Sequence, residues 1–364
     1  MPTFVQIADL HLDTPFSGCG VTERTDRRKE LREAFAFAVR YCREHKTELL
    51  LICGDLFDGE CTNHDTVEYV ANCLSQIPET KVFITPGNHD PYNDASPYRY
   101  CSFSGNVHIF TSETLEVAEL PTLGCAVYGF GYRTSKLRED PICGIMPRDL
   151  GRVNILMGHG DVDVHNSPYY NIQSCHLEKS NLDYVALGHI HKPSGLIYCQ
   201  KTPYAYSGCL AGRDFSESGM RGMIAGTIEK GKAEIRYIPV TDAVYEEITI
   251  DVTGMEYSEI ISEAAKRCGS ISKNARVRIV LEGERSDSLF IYDERMFEGH
   301  IPEFRLFKVL DKTAEKLYIS ELMQEYSLRG LYAKQLKPYL ESQDKDIRER
   351  AMFALRLGLE ALKK

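Results

Sequence analysis

Leu182–Pro193 reads LDYVALGHIHKP, a greasy run that stops at glycine and then sets two histidines one residue apart. Val185, Ala186 and Leu187 have the composition of a short buried strand, and Gly188 and Pro193 bracket the loop beyond it. A packed core resists two imidazoles, and a solvated loop has no need of them. The same construction recurs four times upstream. FVQIADLH places Asp9 and His11 after a strand, and LLLICGDLFD places Asp55 after Gly54. KVFITPGNHD places Asn88, His89 and Asp90 after a Pro-Gly turn, and VNILMGHG sets His159 between glycines. Residues two apart in extended chain point the same way, so Asp9 with His11, and His189 with His191, are expected to share a face. Strand ends that gather oxygen and imidazole donors are where sites form in α/β proteins.

The wider pattern agrees with that class. Apolar strands FVQIA, LLLIC, KVFIT, AVYGF, VNILM and YVAL alternate with helical stretches up to about residue 245. A helix is expected over about 27–45, with Leu31, Phe35, Ala38, Val39 and Cys42 on one face. After residue 245 the texture changes to a small α/β segment, in which YEEITIDV, ARVRIVLEGE and EFRLFKVL read as strands around SEIISEAAKRC. From 313 the chain turns helical, and Ile347, Ala351, Leu355, Leu359 and Leu362 fall on one side of the last helix. The expected division is therefore 1–245, 246–312 and 313–364.

Composition sets bounds on function. The chain has 364 residues and a formal charge of −10. Up to Tyr245 there are 23 basic and 31 acidic residues, and beyond it 20 and 22. Such a balance disfavours nonspecific nucleic-acid binding, but two divalent cations would offset half of the first part's excess. Twelve cysteines are spread without a C-x-x-C pair, which argues for free, reduced, mostly buried thiols over a zinc module or disulfide framework. No run is long enough to span a membrane and no signal peptide is evident, so a cytoplasmic location is expected.

Taken together, Asp-x-His, Gly-Asp, Gly-Asn-His-Asp, Gly-His and Gly-His-x-His, in that order and each behind a strand, resemble the calcineurin-like metallophosphoesterase superfamily. The resemblance implies a two-sheet sandwich flanked by helices and a dinuclear metal site. The first ion would take Asp9, His11 and His191, the second Asn88, His159 and His189, and Asp55 would bridge them. His89 would be catalytic, with Asp90 as its orienter. Mixed carboxylate, imidazole and amide donors suit manganese, and also iron or zinc, better than magnesium or calcium.

GDLFD, the run YAYSGCLAGRDFSESGMRG and the added domain further resemble SbcD-type DNA repair exonucleases, particularly the YhaO-like branch. That resemblance implies a manganese-activated nuclease acting on DNA ends, with single-strand nicking as a second activity. It also implies that 246–312 is a capping domain, and that an SMC-like ABC ATPase binds the C-terminal helices. A homodimer is a further expectation. Arg213 and Arg221 in the Gly/Ser-rich stretch are candidate phosphate contacts, as is the cluster Arg24, Arg27, Arg28, Lys29 and Arg32, unless it is only a solvated helix start. The alternative is a small-molecule phosphodiesterase or phosphatase using the same site. A scaffold with a decayed site is disfavoured, because no position of the ligand set is missing.

Overall fold

In the computed structural model, which describes residues 1–17, 19–136, 140–285 and 292–362, the chain divides into two compact units. One comprises 1–247 with 272–277 and 304–306, and the other 248–271, 278–303 and 307–364.

The first unit contains two six-stranded sheets. One runs in the order Lys232–Pro239, Gly222–Glu229, Thr3–Ile7, Leu49–Cys53, Lys81–Thr85, Val107–Ile109, and its last four strands are parallel. The other runs Ile197–Cys199, Thr202–Tyr206, Tyr184–Gly188, Val153–His159, Cys125–Gly129, Glu116–Leu120, with its four central strands parallel. Strand alternation sorts the side chains into three layers. Phe4, Leu49, Leu51 and Phe83 from one sheet meet Val127, Ile155, Met157, Tyr184 and Ala186 from the other in a shared core. Val5, Ile7, Leu50 and Ile52 point the opposite way and pack under the helices Val21–Glu44 and His64–Ser75, against Leu31, Phe35, Val67 and Val70. On the far side, Tyr128, Leu156, Val185 and Leu187 are covered by Tyr170, Ile172 and Leu177. The architecture is a two-sheet sandwich flanked by helices.

Gln6 is the one polar residue inside FVQIA, and it is fully buried. Its Nε2 donates to the carbonyls of Leu187 and Ala205, each at 3.0 Å, and its Oε1 accepts from the Tyr184 hydroxyl. All of its bonds cross to the opposite sheet, so the amide is satisfied and joins the two layers. The long helix begins at Val21, six residues before the expected start. Its first turns carry no apolar stripe for periodicity to detect, while Leu31, Phe35, Ala38 and Val39 bury as expected.

The second unit contains the helix Tyr257–Cys268 and most of a three-stranded sheet ordered Tyr245–Asp251, Arg276–Glu282, Leu306–Asp311. It also contains the helices Leu328–Leu340 and Lys345–Ala361. Leu355 and Leu359 bury against Leu322 and Ala333, and Ala351 is buried as well, so the predicted stripe packs within its own unit. The ends of that stripe, Ile347 and Leu362, stay exposed, and the last two residues lie outside the described part.

Candidate active site

The loops that follow Thr3–Ile7 and Leu49–Cys53 run side by side. Asp9 N–H donates to the Gly54 carbonyl, His11 N–H to that of Asp55, and Leu12 N–H to that of Leu56. Here extended chain does not align the donors. Asp9, His11 and Asp55 lie in the left-handed region at φ 53°, 47° and 50°, and His189 at φ 103°. Side chains two apart therefore do not simply share a face. His191 stands beside His11, with ring centroids 5.3 Å apart, while His189 stands beside His159 at 5.1 Å. Strained backbone of this kind concentrates where surrounding structure enforces a functional arrangement.

Two glycines let the loops close in. A Cβ on Gly54, at φ +84°, would lie 2.3 Å from His159 Nδ1, and one on Gly87 would lie 2.2 Å from Asp55 Oδ1.

The result is a compact donor cluster. One donor atom each from Asp9, His11 and His191 lie within 4.8 Å of one another, and so do those of Asp9, Asp55 and His159. Asp55 Oδ2 is 3.3 Å from His159 Nε2 and 3.6 Å from His11 Nε2, between the two groups. Asn88 Oδ1 lies 2.9 Å from His159 Nε2. The Cys53 carbonyl, 3.0 Å from His159 Nδ1, orients that ring.

The residues fit a cation site on their own evidence. His11 is 1% exposed, yet among the described residues neither of its ring nitrogens has a hydrogen-bond partner; so costly an omission is removed when the ring ligates a cation. The rings differ in charge preference. Burial opposes a charge on His159, but the Asp55 carboxylate overrides it and lifts the pKa to about 9, whereas burial prevails at His11 and His189 and lowers theirs. Burial likewise works against ionised Asp55, and the surrounding histidines nonetheless hold it well below the usual carboxylate range.

His89 sits at the rim, its side chain 51% exposed and its Nδ1 3.4 Å from Asp58 Oδ1. Its backbone N–H donates to Asp55 Oδ1 at 2.9 Å. The carboxylate beside its ring is not the expected Asp90 but Asp58, the last residue of GDLFD. Asp90 is fully buried and accepts from Gly87 N–H, Phe57 N–H and the Tyr98 hydroxyl at 2.6, 3.1 and 2.5 Å. Burial, then the nearby Asp55 charge, raises its pKa to about 6. Asp90 therefore ties the PGNHD turn to its neighbours. Replacing it with alanine is expected to destabilise the protein by about 3 kcal/mol, since several buried donors lose their acceptor. Thermal unfolding measures this, and an unchanged midpoint would refute it.

The basic candidates are mostly spoken for. Arg221 is buried and spends its guanidinium on the carbonyls of His191, Glu217 and Ser218, which corrects its reading as a phosphate contact. Arg27 is buried between Phe16 and Tyr245 and donates to the Gly212 and Arg213 carbonyls. Arg28 reaches the Thr14 and Asp13 carbonyls, and Arg32 the Thr66 hydroxyl. Arg213 grips Glu217 through Nε and Nη2. Glu217 in turn meets His191, and Asp161 lies 3.5 Å from His189 Nε2. Sequence reasoning assigned no role to Asp58, Asp161 or Glu217. The only local signal was that each lies inside or beside a motif already singled out.

Comparison with known proteins adds four findings. Residues 2–193 match the family described as calcineurin-like phosphoesterase. The Bacillus subtilis (strain 168) protein named uncharacterized metallophosphoesterase YhaO is 23% identical over 406 aligned positions, covering 99% of this chain and 98% of its own. The DNA double-strand break repair protein Mre11 of Methanocaldococcus jannaschii is 25% identical over 197 positions, covering 52% of this chain and 51% of its own. Among solved structures, TT1561 of Thermus thermophilus superposes with a TM-score of 0.41 at 11% identity, over 65% of this chain and 98% of that one.

Proposed function

The chain belongs to the calcineurin-like phosphoesterase family and is a metal-dependent phosphoester hydrolase; we propose that within this class it is a nuclease that cleaves DNA phosphodiester bonds with two divalent cations, manganese foremost. The observation that carries the diester reading is His89, a half-exposed imidazole backed by Asp58 at the rim of a buried donor cluster. A diester releases an alkoxide, a poor leaving group that needs a proton as it departs. With Nδ1 facing Asp58, His89 presents Nε2 outward and holds that proton there. The Asp58 carboxylate, 3.4 Å away, outweighs partial burial and raises the His89 pKa.

In this reading Asp9, His11 and His191 hold one cation, Asn88, His159 and His189 the other, and Asp55 serves both. When bound, the cations supply Lewis acidity that polarises the phosphoryl oxygen and acidifies the attacking water. His159 is kept in place by the Cys53 carbonyl and His89 by its backbone bond to Asp55. Arg213, partly exposed and close to Asp58, offers the remaining edge of its guanidinium to a phosphate. The DNA assignment draws support from the printed role of the Mre11 relative and from the YhaO likeness over the whole chain. The C-terminal helices present Leu331, Tyr339, Phe353 and Leu357 to solvent, each more than half exposed. That apolar surface supports docking of an ABC ATPase partner.

The test is a time course of end-labelled linear duplex DNA with metal-stripped protein, with and without manganese, beside an aryl phosphodiester. Progressive, manganese-dependent shortening is expected. Intact DNA alongside aryl diester turnover would overturn the nuclease reading in favour of a small diester substrate.

A further inference from the structure

Four histidines are assigned to the two cation subsites, and what stands behind each differs. Among the described residues His11 has no hydrogen-bond partner on either nitrogen, the Asp58 carboxylate standing 3.8 Å from Nδ1. His159 rests on a neutral carbonyl, that of Cys53. His189 lies 3.5 Å from Asp161, beyond an ordinary hydrogen bond. Behind His191 there is a carboxylate, Glu217 Oε1, 2.6 Å from Nδ1.

That carboxylate is itself locked. Glu217 is 4% exposed and accepts from Arg213 N–H at 2.7 Å, from Arg213 Nη2 at 2.7 Å and from Arg213 Nε at 3.2 Å. Arg221 binds the backbone on both sides of the contact, through the Glu217 carbonyl at 3.1 Å and the His191 carbonyl at 2.9 Å. Glu217 lies in the short turn Phe215–Glu217, which Asp214 caps by accepting from Ser216 N–H.

We propose that Glu217, clamped by Arg213, is the positioning residue that fixes His191 as a cation ligand and thereby sets the affinity of the Asp9–His11–His191 subsite. Nδ1 faces both Glu217 Oε1 at 2.6 Å and Arg213 Nη2 at 3.2 Å; the nearer carboxylate only accepts, which places the imidazole proton on Nδ1 and leaves the lone pair on Nε2 for a cation. The hydrogen bond also fixes the ring plane and makes Nε2 a stronger donor, as carboxylates behind ligating histidines do. Arg213 neutralises the buried carboxylate, so the support adds no net negative charge beside Asp9. The two subsites are therefore supported unequally, one by an ion-paired carboxylate in hydrogen-bond contact and the other by a peptide carbonyl with the Asp161 carboxylate 3.5 Å from His189. The inference rests on the two-cation part of the proposed function and not on the identity of the substrate.

The experiment titrates manganese into metal-stripped protein by calorimetry and by the electron paramagnetic resonance of free Mn2+. Wild type is expected to take two ions. Glu217→Gln, nearly the same shape, is expected to weaken one of them by about 10- to 100-fold and leave the other within about twofold. The double variant Glu217→Gln/Arg213→Gln removes both charges together, so no buried charge is stranded, and is expected to show the same selective loss. Two ions bound with wild-type affinity by either folded variant would overturn the proposal. A nitrogen-15 spectrum of the metal-free wild type gives a check independent of variant folding. It should show His191 protonated on Nδ1, and protonation on Nε2 alone would equally overturn it. Failure of wild type to take a second ion would instead overturn the two-cation reading, and is seen before any substitution is made.

Discussion

His89→Ala is expected to slow manganese-dependent DNA cleavage by about 10²–10⁴-fold, the usual worth of a positioned general acid, while cation uptake stays unchanged. The two effects separate because His89 touches the cluster in two ways. Its ring meets Asp58 at the rim, whereas its backbone N–H donates to Asp55. Alanine removes the first contact and keeps the second. The leaving group supplies a finer discrimination. A nitrophenolate departs without a proton, so the same variant should hydrolyse an activated aryl diester with a much smaller deficit. Equal losses on both substrates, or a loss of manganese binding, would remove His89 from the role of acid.

Gly54→Ala should be nearly as damaging although it deletes no functional group. Alanine at φ +84° costs about 1–2 kcal/mol of backbone strain, and its Cβ would stand 2.3 Å from His159 Nδ1 and 2.5 Å from Cγ. The ring cannot stay, and its bond to the Cys53 carbonyl goes with it. Displacement of a ligand by about 1 Å is enough to cost about 10²-fold in turnover. We expect that loss, together with a lower unfolding midpoint and weakened binding of the cation assigned to His159. Wild-type midpoint and affinity in the variant would show that the strand end tolerates a side chain there, against the packing described.

How much of this was legible beforehand depends on how far apart the partners lie along the chain. Each ligand motif is a strand, a turn and a donor within about ten residues, and reads locally. The two-sheet sandwich was implied by the resemblance, but which residues of LLLIC and YVALG face the shared core was not legible, because nearly every position in them is apolar. Nor were the supports of the site. Glu217 meets His191 across 26 residues, and Asp90 meets Phe57 N–H across 33. No local pattern tells such an acid from any other loop carboxylate. Arg221 looked like a free cation for want of knowing that three carbonyls surround it.

The sequence by itself determined the class of the protein: strands that end in oxygen and imidazole donors, in a fixed order, because those residue types at those turns have few other uses. Tertiary structure decided the rest. It put Asp58 rather than Asp90 behind His89 and, by a left-handed backbone instead of a shared strand face, it set His189 and His191 beside the separate neighbours already expected of them. It also turned Arg213 and Glu217 into a clamp on one ligand. Hydrogen bonds and close approach depend on ångström distances between loops brought together by the sheets, and those distances exist only once the chain has folded.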